Sequence, residues 1–240
     1  MNRLLLAAAA VLALSSAAHS APLPADPARP AADVARDTSR KPAEMVALAT
    51  LKPGDQVLEM LPGGGYFTRI FSKVVGPTGR IYAAVPDAGS RDAEPAAAKI
   101  AAEPGYGNIT VTAVDAKALV ALKDLDVIWT SQNYHDFHLS RLKLNVAATD
   151  RLLFSLLKPG GVLVVVDHAA LPGAPVGETA DKLHRIDVAA VEQELTAAGF
   201  VLEAQSDALK NSTDPHTANV FDPVIRGKTD QFALRFRKPR

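Results

Sequence analysis

Between Ser131 and Ser140 the chain reads SQNYHDFHLS. Gln132, Asn133, Tyr134, His135, Asp136 and His138 crowd this stretch with more polar and titratable groups than solubility requires. Histidine changes charge near neutral pH, so His135 and His138 are candidates for proton transfer. Metal ligation is the competing chemistry. His135-x-x-His138, with Asp167, His168 and His184, offers enough nitrogen and oxygen donors for zinc or another divalent ion if all face one edge. The pattern is short and the chain has no cysteine, so no metal is assigned from the sequence.

A second stretch, VLEMLPGGGYFTRIF from Val57 to Phe71, joins an apolar run to a helix-like run through three glycines. Glycine allows positive φ and lets a ligand approach with no Cβ in the way. The N–H groups opening the helix near Gly65 would point at the same spot. A dinucleotide motif would need glycines in a G-x-G-x-x-G frame, and a phosphate loop would need Gly-Lys-Ser/Thr. Both are missing. Glu59, the acid standing before the glycines, suits a ligand with a positive group.

The elements that must position these residues alternate. Short apolar runs at 56–60, 79–85, 108–114, 125–131 and 162–169 read as strands, and 201–209 and 230–238 as two more. Helical spacing is expected at 44–49, 65–76, 91–103, 142–161 and 186–200. Strands that are apolar throughout belong to a mostly parallel sheet covered on both faces. Right-handed crossovers then make the fold α/β, doubly wound and Rossmann-like. No helix separates the last two strands, so the final strand is expected to be antiparallel. The polar stretch 210–229 between them contains His216, Arg226 and Lys228, which could cover the site as a lid or wall.

The order of these elements, with VLEMLPGGGYFTRIF, LDVIWTSQNYHDFH and LLKPGGVLVVVDH, resembles the class I S-adenosylmethionine-dependent methyltransferases. More narrowly it resembles an exported bacterial branch of predicted methyltransferases with Asn-Tyr-His-Asp after the fourth strand. The resemblance covers residues 44–238 or so and implies a seven-stranded sheet of order 3-2-1-4-5-7-6. It implies S-adenosylmethionine as cofactor, lined by Glu59, Pro62, Gly63, Gly64, Gly65, Tyr66, Asp115 and Asn133. It further implies His135 as catalytic base with Asp136 orienting it or the acceptor, and Tyr134, His138, His168, His184 and Arg185 on the substrate side. Arg185 and His184 could instead pair with Asp167 or Asp187. Two departures stand out. Leu61-Pro62 occupies the place of the first glycine, and Val85-Pro86 the place of the acid that ends the second strand, with Asp87 close by.

The remaining sequence bounds the setting. Residues 1–20 carry Arg3, an apolar run from Leu4 to Leu14 and Ala18-His19-Ser20, the pattern of a signal peptide cleaved after Ser20. That implies a periplasmic or secreted protein with no stable membrane span after cleavage. Residues 21–42 are rich in Pro and Ala and read as a flexible leader; 43–240 is the methyltransferase-like domain. The net charge is zero, with no basic block, so a nucleic-acid groove is not expected and a small-molecule substrate is. Two other functions fit the same residues: an exported binding protein without catalysis, and a histidine-based metal-dependent hydrolase.

Overall fold

The computed structural model describes residues 22–86 and 95–240. The expected signal peptide, Asp87 and the first residues of the helix expected at 91–103 lie outside that range.

Short helices at Ala31–Val34 (α1), Asp37–Arg40 (α2) and Pro42–Leu48 (α3) precede the first strand, Gln56–Met60 (β1). Next come Tyr66–Val75 (α4), Arg80–Val85 (β2), Ala96–Ala102 (α5), Ile109–Ala113 (β3), Ala116–Leu119 (α6) and Leu125–Ser131 (β4). Two 3₁₀ turns follow at His135–His138 and Ser140–Leu142. Then come Val146–Leu156 (α7), Leu157–His168 (β5), Val176–Leu183 (α8), Val188–Ala197 (α9), Val201–Ser206 (β6) and Gln231–Arg237 (β7). The seven strands form one sheet of order β3-β2-β1-β4-β5-β7-β6. The first five pair in parallel, and β7 is antiparallel to both β5 and β6. This is the expected topology.

Two apolar clusters cover the two faces. One packs α3, α4 and α5 on Val57, Val127, Trp129, Val162 and Val164. The other packs α7 and α9 on Leu58, Ile128, Leu163 and Val165. The alternation of neighbours such as Val57 and Leu58 between clusters follows from the two-residue period of a strand. Because both faces of the sheet are buried, the strands read as continuous apolar runs.

The stretch expected to be a flexible leader is packed from about residue 26 onward. Tyr106 donates to Asp26 (2.5 Å), Tyr66 donates to Asp37 (2.6 Å), and Arg29 grips Asp37 with two bonds of 2.6 and 2.9 Å. These long-range polar ties leave no apolar period in the sequence. Among the described residues no helix is long and apolar enough to cross a membrane.

Candidate active site

The carboxyl ends of β1 and β4 border two cavities that share a wall, and those of β2 and β3 border the larger one. β1 ends in Glu59 and Met60. Parallel pairing sets Glu59 beside Ala83 on β2 and Trp129 on β4, on the sheet face that α4 covers. Thr68, one turn into α4, donates to Glu59 Oε2 at 2.6 Å. Glu59 is buried, and that burial pushes its pKa up to about 7 despite the Thr68 hydroxyl and the Arg40 charge.

The turn from β1 to α4 is built from backbone in the left-handed region. Leu61 stands at φ 51, Gly63 at 57 and Gly65 at 81. A Cβ on Gly65 would also lie 2.1 Å from Ile100 Cδ1, so Gly65 is required by packing as well as by φ. Gly64 has neither constraint, and a Cβ there would meet nothing within 4 Å. Its lack of a side chain leaves open space rather than relieving strain. Leu61, in the place of the missing first glycine, takes the backbone conformation that glycine would have supplied without strain.

The smaller cavity, about 140 Å³, is lined by Arg36, Arg40, Glu59, Gly63, Gly64 and Trp129 among others. Arg40 reaches it from α2. Its guanidinium lies 4.6 Å from the Tyr66 ring centre and 4.9 Å from that of Phe67. Burial lowers its pKa, and its one hydrogen bond is a 3.4 Å contact to Ser131 Oγ. Among the described residues no carboxylate lies within ion-pair distance of it. The Trp129 indole N–H in the same wall also has no partner there. The larger cavity, about 900 Å³, is lined by Val85, Val114, Asp115, Ala116, Leu119, Asp136, Phe137 and Leu142, among others, and is mostly apolar. Met60, Leu61, Pro62 and Gly63 border both.

On the β4–β5 side, the 3₁₀ turn after β4 turns His135 inward. Asp167, fully buried at the end of β5, receives its backbone N–H (2.8 Å) and its ring Nδ1–H (2.8 Å). Asp167 also receives the backbone N–H of His168 (2.7 Å). Burial alone would raise the Asp167 pKa, but the His135 ring and these donors hold it low. For His135 the balance runs the other way: burial favours the neutral ring, yet Asp167 and Asp136 raise its pKa. Asp136 Oδ1 is 3.3 Å from His135 Nε2, and His184 Nδ1 is also 3.3 Å from it.

These positions correct several sequence expectations. Asp167 takes the His135 Nδ1–H, and Asp136, expected to orient His135 or the acceptor, lies on the Nε2 side at 3.3 Å. Tyr134 is buried away from both cavities, its hydroxyl between Asp150 (3.1 and 3.2 Å) and Glu194 (3.1 Å). His138 pairs with the same Glu194 at 3.1 Å. Arg185 is fully buried and bonded to Asp214 (2.8 and 3.1 Å) and to the carbonyls of Ala169 and Ala218, so it pairs with neither Asp167 nor Asp187. His168 is buried, 2.7 Å from Thr229 Oγ1, and desolvation pushes its pKa down to about 4. Asn133 spends its amide on the carbonyls of Met60, Leu61 and Ser131, clamping β1 to β4, and its oxygen receives the Thr130 hydroxyl. It borders the larger cavity as structure. Asp115 borders the same cavity and caps α6 by receiving the N–H of Ala118 at 2.8 Å. His216 pairs with Asp230 (2.9 Å); from the 210–229 stretch, the Phe221 ring packs 4.9 Å from that of His184 and Thr229 meets His168. Arg40 and Thr68 were missed. Thr68 lies nine residues beyond Glu59, one helical turn from the glycines, and that spacing could have suggested it.

No family model matches the chain. A stretch of 75 residues is 37% identical to the protein-L-isoaspartate O-methyltransferase of Ignicoccus hospitalis, covering 30% of this chain and about a third (33%) of that protein. Among solved structures, an S-adenosylmethionine-dependent methyltransferase from Aquifex aeolicus superposes with a TM-score of 0.60 at 18% identity, over 85% of this chain and 93% of that one. A possible exported protein from Bordetella parapertussis gives 0.56 at 18%, over 84% and 68%. With the strand order above, these place the chain in the class I S-adenosylmethionine-dependent methyltransferase fold.

Proposed function

We propose that the chain is an S-adenosylmethionine-dependent methyltransferase acting on a small acceptor outside the cytosol. One observation carries the reading. An acid, Glu59, and a cation, Arg40, that has no carboxylate partner among the described residues face one small cavity at the β1 edge, and that cavity shares the Met60–Gly63 wall with a large apolar one. An α-amino acid carries an ammonium and a carboxylate. A nucleoside carries a flat, largely apolar base. The two cavities together match a molecule that joins the two, and the open side of Gly63, which borders both, leaves room between them. Glu59 would hold the ammonium, Arg40 the carboxylate, and Val85, Val114 and Leu119 the base, with Asp115 at its rim. When bound, the cofactor supplies an electrophilic methyl group on a sulfonium.

The protein's share of such a reaction is orientation and proton handling. Asp136 borders the large cavity, and His135 stands directly behind it with Nε2 turned toward Asp136. Asp167 fixes the ring by taking its Nδ1–H, which leaves Nε2 to receive a proton from an acceptor hydroxyl or amine. Export is supported by the character of residues 1–20 and by the likeness to a possible exported protein.

Calorimetry with S-adenosylmethionine and S-adenosylhomocysteine tests the cofactor. Micromolar binding is expected, weakened at least roughly tenfold in Arg40→Ala through loss of a charge-assisted bond, and lost in Gly64→Val. A folded protein that ignores both ligands at millimolar concentration would refute the reading.

A further inference from the structure

We propose that His135, Asp136 and His184 form a binding site for one divalent transition-metal ion of the zinc type, set beside the large cavity. The inference goes beyond methyl transfer and stands whether or not the chain transfers methyl groups.

The first argument is the direction of lone pairs. Asp167 has only acceptor oxygens, so the His135 Nδ1 beside it carries the hydrogen. In the neutral ring Nε2 is then a bare acceptor. That acceptor faces His184 Nδ1 at 3.3 Å and Asp136 Oδ1 at 3.3 Å. The third edge, His184 Nδ1 to Asp136 Oδ1, is 3.9 Å. All three atoms can carry lone pairs aimed at one another, and their separations of 3.3, 3.3 and 3.9 Å are long for hydrogen bonds between them. A cation in the middle satisfies all three.

The second argument is metric. Zinc sits about 2.0–2.1 Å from nitrogen or oxygen ligands in tetrahedral sites, so its ligands lie roughly 3.3–3.4 Å from one another. Two of the three edges match that separation, and the third closes by a small rotation of the half-exposed Asp136 carboxylate. Three protein ligands leave one position open, the arrangement of reactive rather than purely structural zinc sites.

The third argument is the support behind the ligands. A histidine that binds metal through one nitrogen characteristically gives its other N–H to a carboxylate, and Asp167 occupies that place with His135. His184 is held in the left-handed region, at φ 54, where α8 ends. A non-glycine residue there is strained, and such strain gathers at functional sites. The Phe221 ring packs against the His184 imidazole at 4.9 Å between centres, with the rings 66° apart. The set differs from the one the sequence suggested, since His138 and His168 are committed to Glu194 and Thr229. An ion here and a free His135 base exclude each other, so metal content also decides how the acceptor's proton is handled.

The test is a cobalt(II) titration of the chelator-stripped protein, followed by displacement with zinc. One equivalent is expected to bind with the intense visible absorption of a tetrahedral site. His184→Asn keeps a side chain that tolerates left-handed backbone. It and Asp136→Asn should each weaken binding by at least tenfold, roughly the lower bound for loss of a supporting group. Asp167→Asn, which leaves every ligand in place, should weaken it by roughly 10- to 100-fold. His216→Asn, outside the cluster, should change nothing. Circular dichroism confirms that each variant is folded. Absence of a stoichiometric tetrahedral cobalt spectrum in the wild-type protein overturns the proposal, and so does wild-type affinity in the folded His184→Asn variant.

Discussion

A single carboxyl group, Glu59, ties stability to ligand binding. Its ordinary pKa is 4.5, and burial lifts it to about 7 in the folded chain. A group whose folded pKa is raised stabilises the fold fully below its unfolded pKa, and loses that contribution as pH rises through the folded value. Stability should therefore fall between about pH 4.5 and pH 7 by on the order of 3 kcal/mol from this group, at 1.36 kcal/mol per pH unit. Glu59→Gln, which can still receive the Thr68 hydroxyl, should flatten that dependence in urea melts followed across the range. Binding of an ammonium group asks the opposite of Glu59. It favours the ionised form, so affinity should rise with pH up to about 7. Below that, binding should release a proton, visible as a calorimetric heat that varies with the buffer's ionisation enthalpy. Identical pH dependence in the wild-type and Glu59→Gln proteins would mean that Glu59 is not held neutral.

At the level of elements, the turn after β1 shows what the sequence could and could not reveal. The strands were legible because they are buried on both faces, and that burial leaves uninterrupted apolar runs such as VLVVV in β5. The glycine turn was legible because Gly63 and Gly65 answer to backbone angle, which is local, although the packing of Gly65 on Ile100 is not. Three things were hidden. The short α6 and α8 have too few residues to show a period. The direction of side chains in the 3₁₀ turn after β4 sends His135 to Asp167 but Tyr134 to Asp150 and Glu194, a choice made by partners far along the chain. Arg185 finds Asp214 across 29 residues, a pairing no spacing encodes. Leu61 is the instructive case. From sequence it reads as a lost glycine; in the fold it accepts φ 51. Left-handed backbone costs such a residue about 1–2 kcal/mol. Leu61→Gly relieves that strain but frees the unfolded chain, which offsets it by about 0.4–1 kcal/mol, and it gives up half-buried apolar contact. Its stability should stay within about 1 kcal/mol of wild type, whereas the β-branched Leu61→Val should cost on the order of 2 kcal/mol. Denaturant melts of the two variants decide it, and equal losses would mean that the turn is not strained.

At the scale of the molecule, the parallel sheet supplies the floor of both cavities, while the segment from about Asp26 to Arg40 supplies a roof over one of them. Arg29, Arg36 and Arg40 gather around the Tyr66 ring, at 5.4, 5.0 and 4.6 Å from its centre. Asp37 locks them down through Arg29 and the Tyr66 hydroxyl. The segment adds little to the core: Leu23 packs against it only in part, and the buried clusters begin at Met45. Removing residues 22–41 should therefore leave the sheet and its two cores folded. The expected effect is a modest loss of stability, since partly exposed ion pairs contribute about 0–1 kcal/mol each. Ligand binding should suffer far more, because the deletion takes Arg40 out of the small cavity and opens Glu59 to water. A loss of at least tenfold in S-adenosylmethionine affinity is expected, about 1.4 kcal/mol or more. Asp37→Ala should give a smaller loss in the same direction, because it loosens the roof without removing the guanidinium. Far-ultraviolet circular dichroism and calorimetry on the two variants separate these effects. A truncated chain that binds as tightly as the full one would show that the roof only decorates the site, and that the cofactor's carboxylate is held by the backbone of the glycine turn instead.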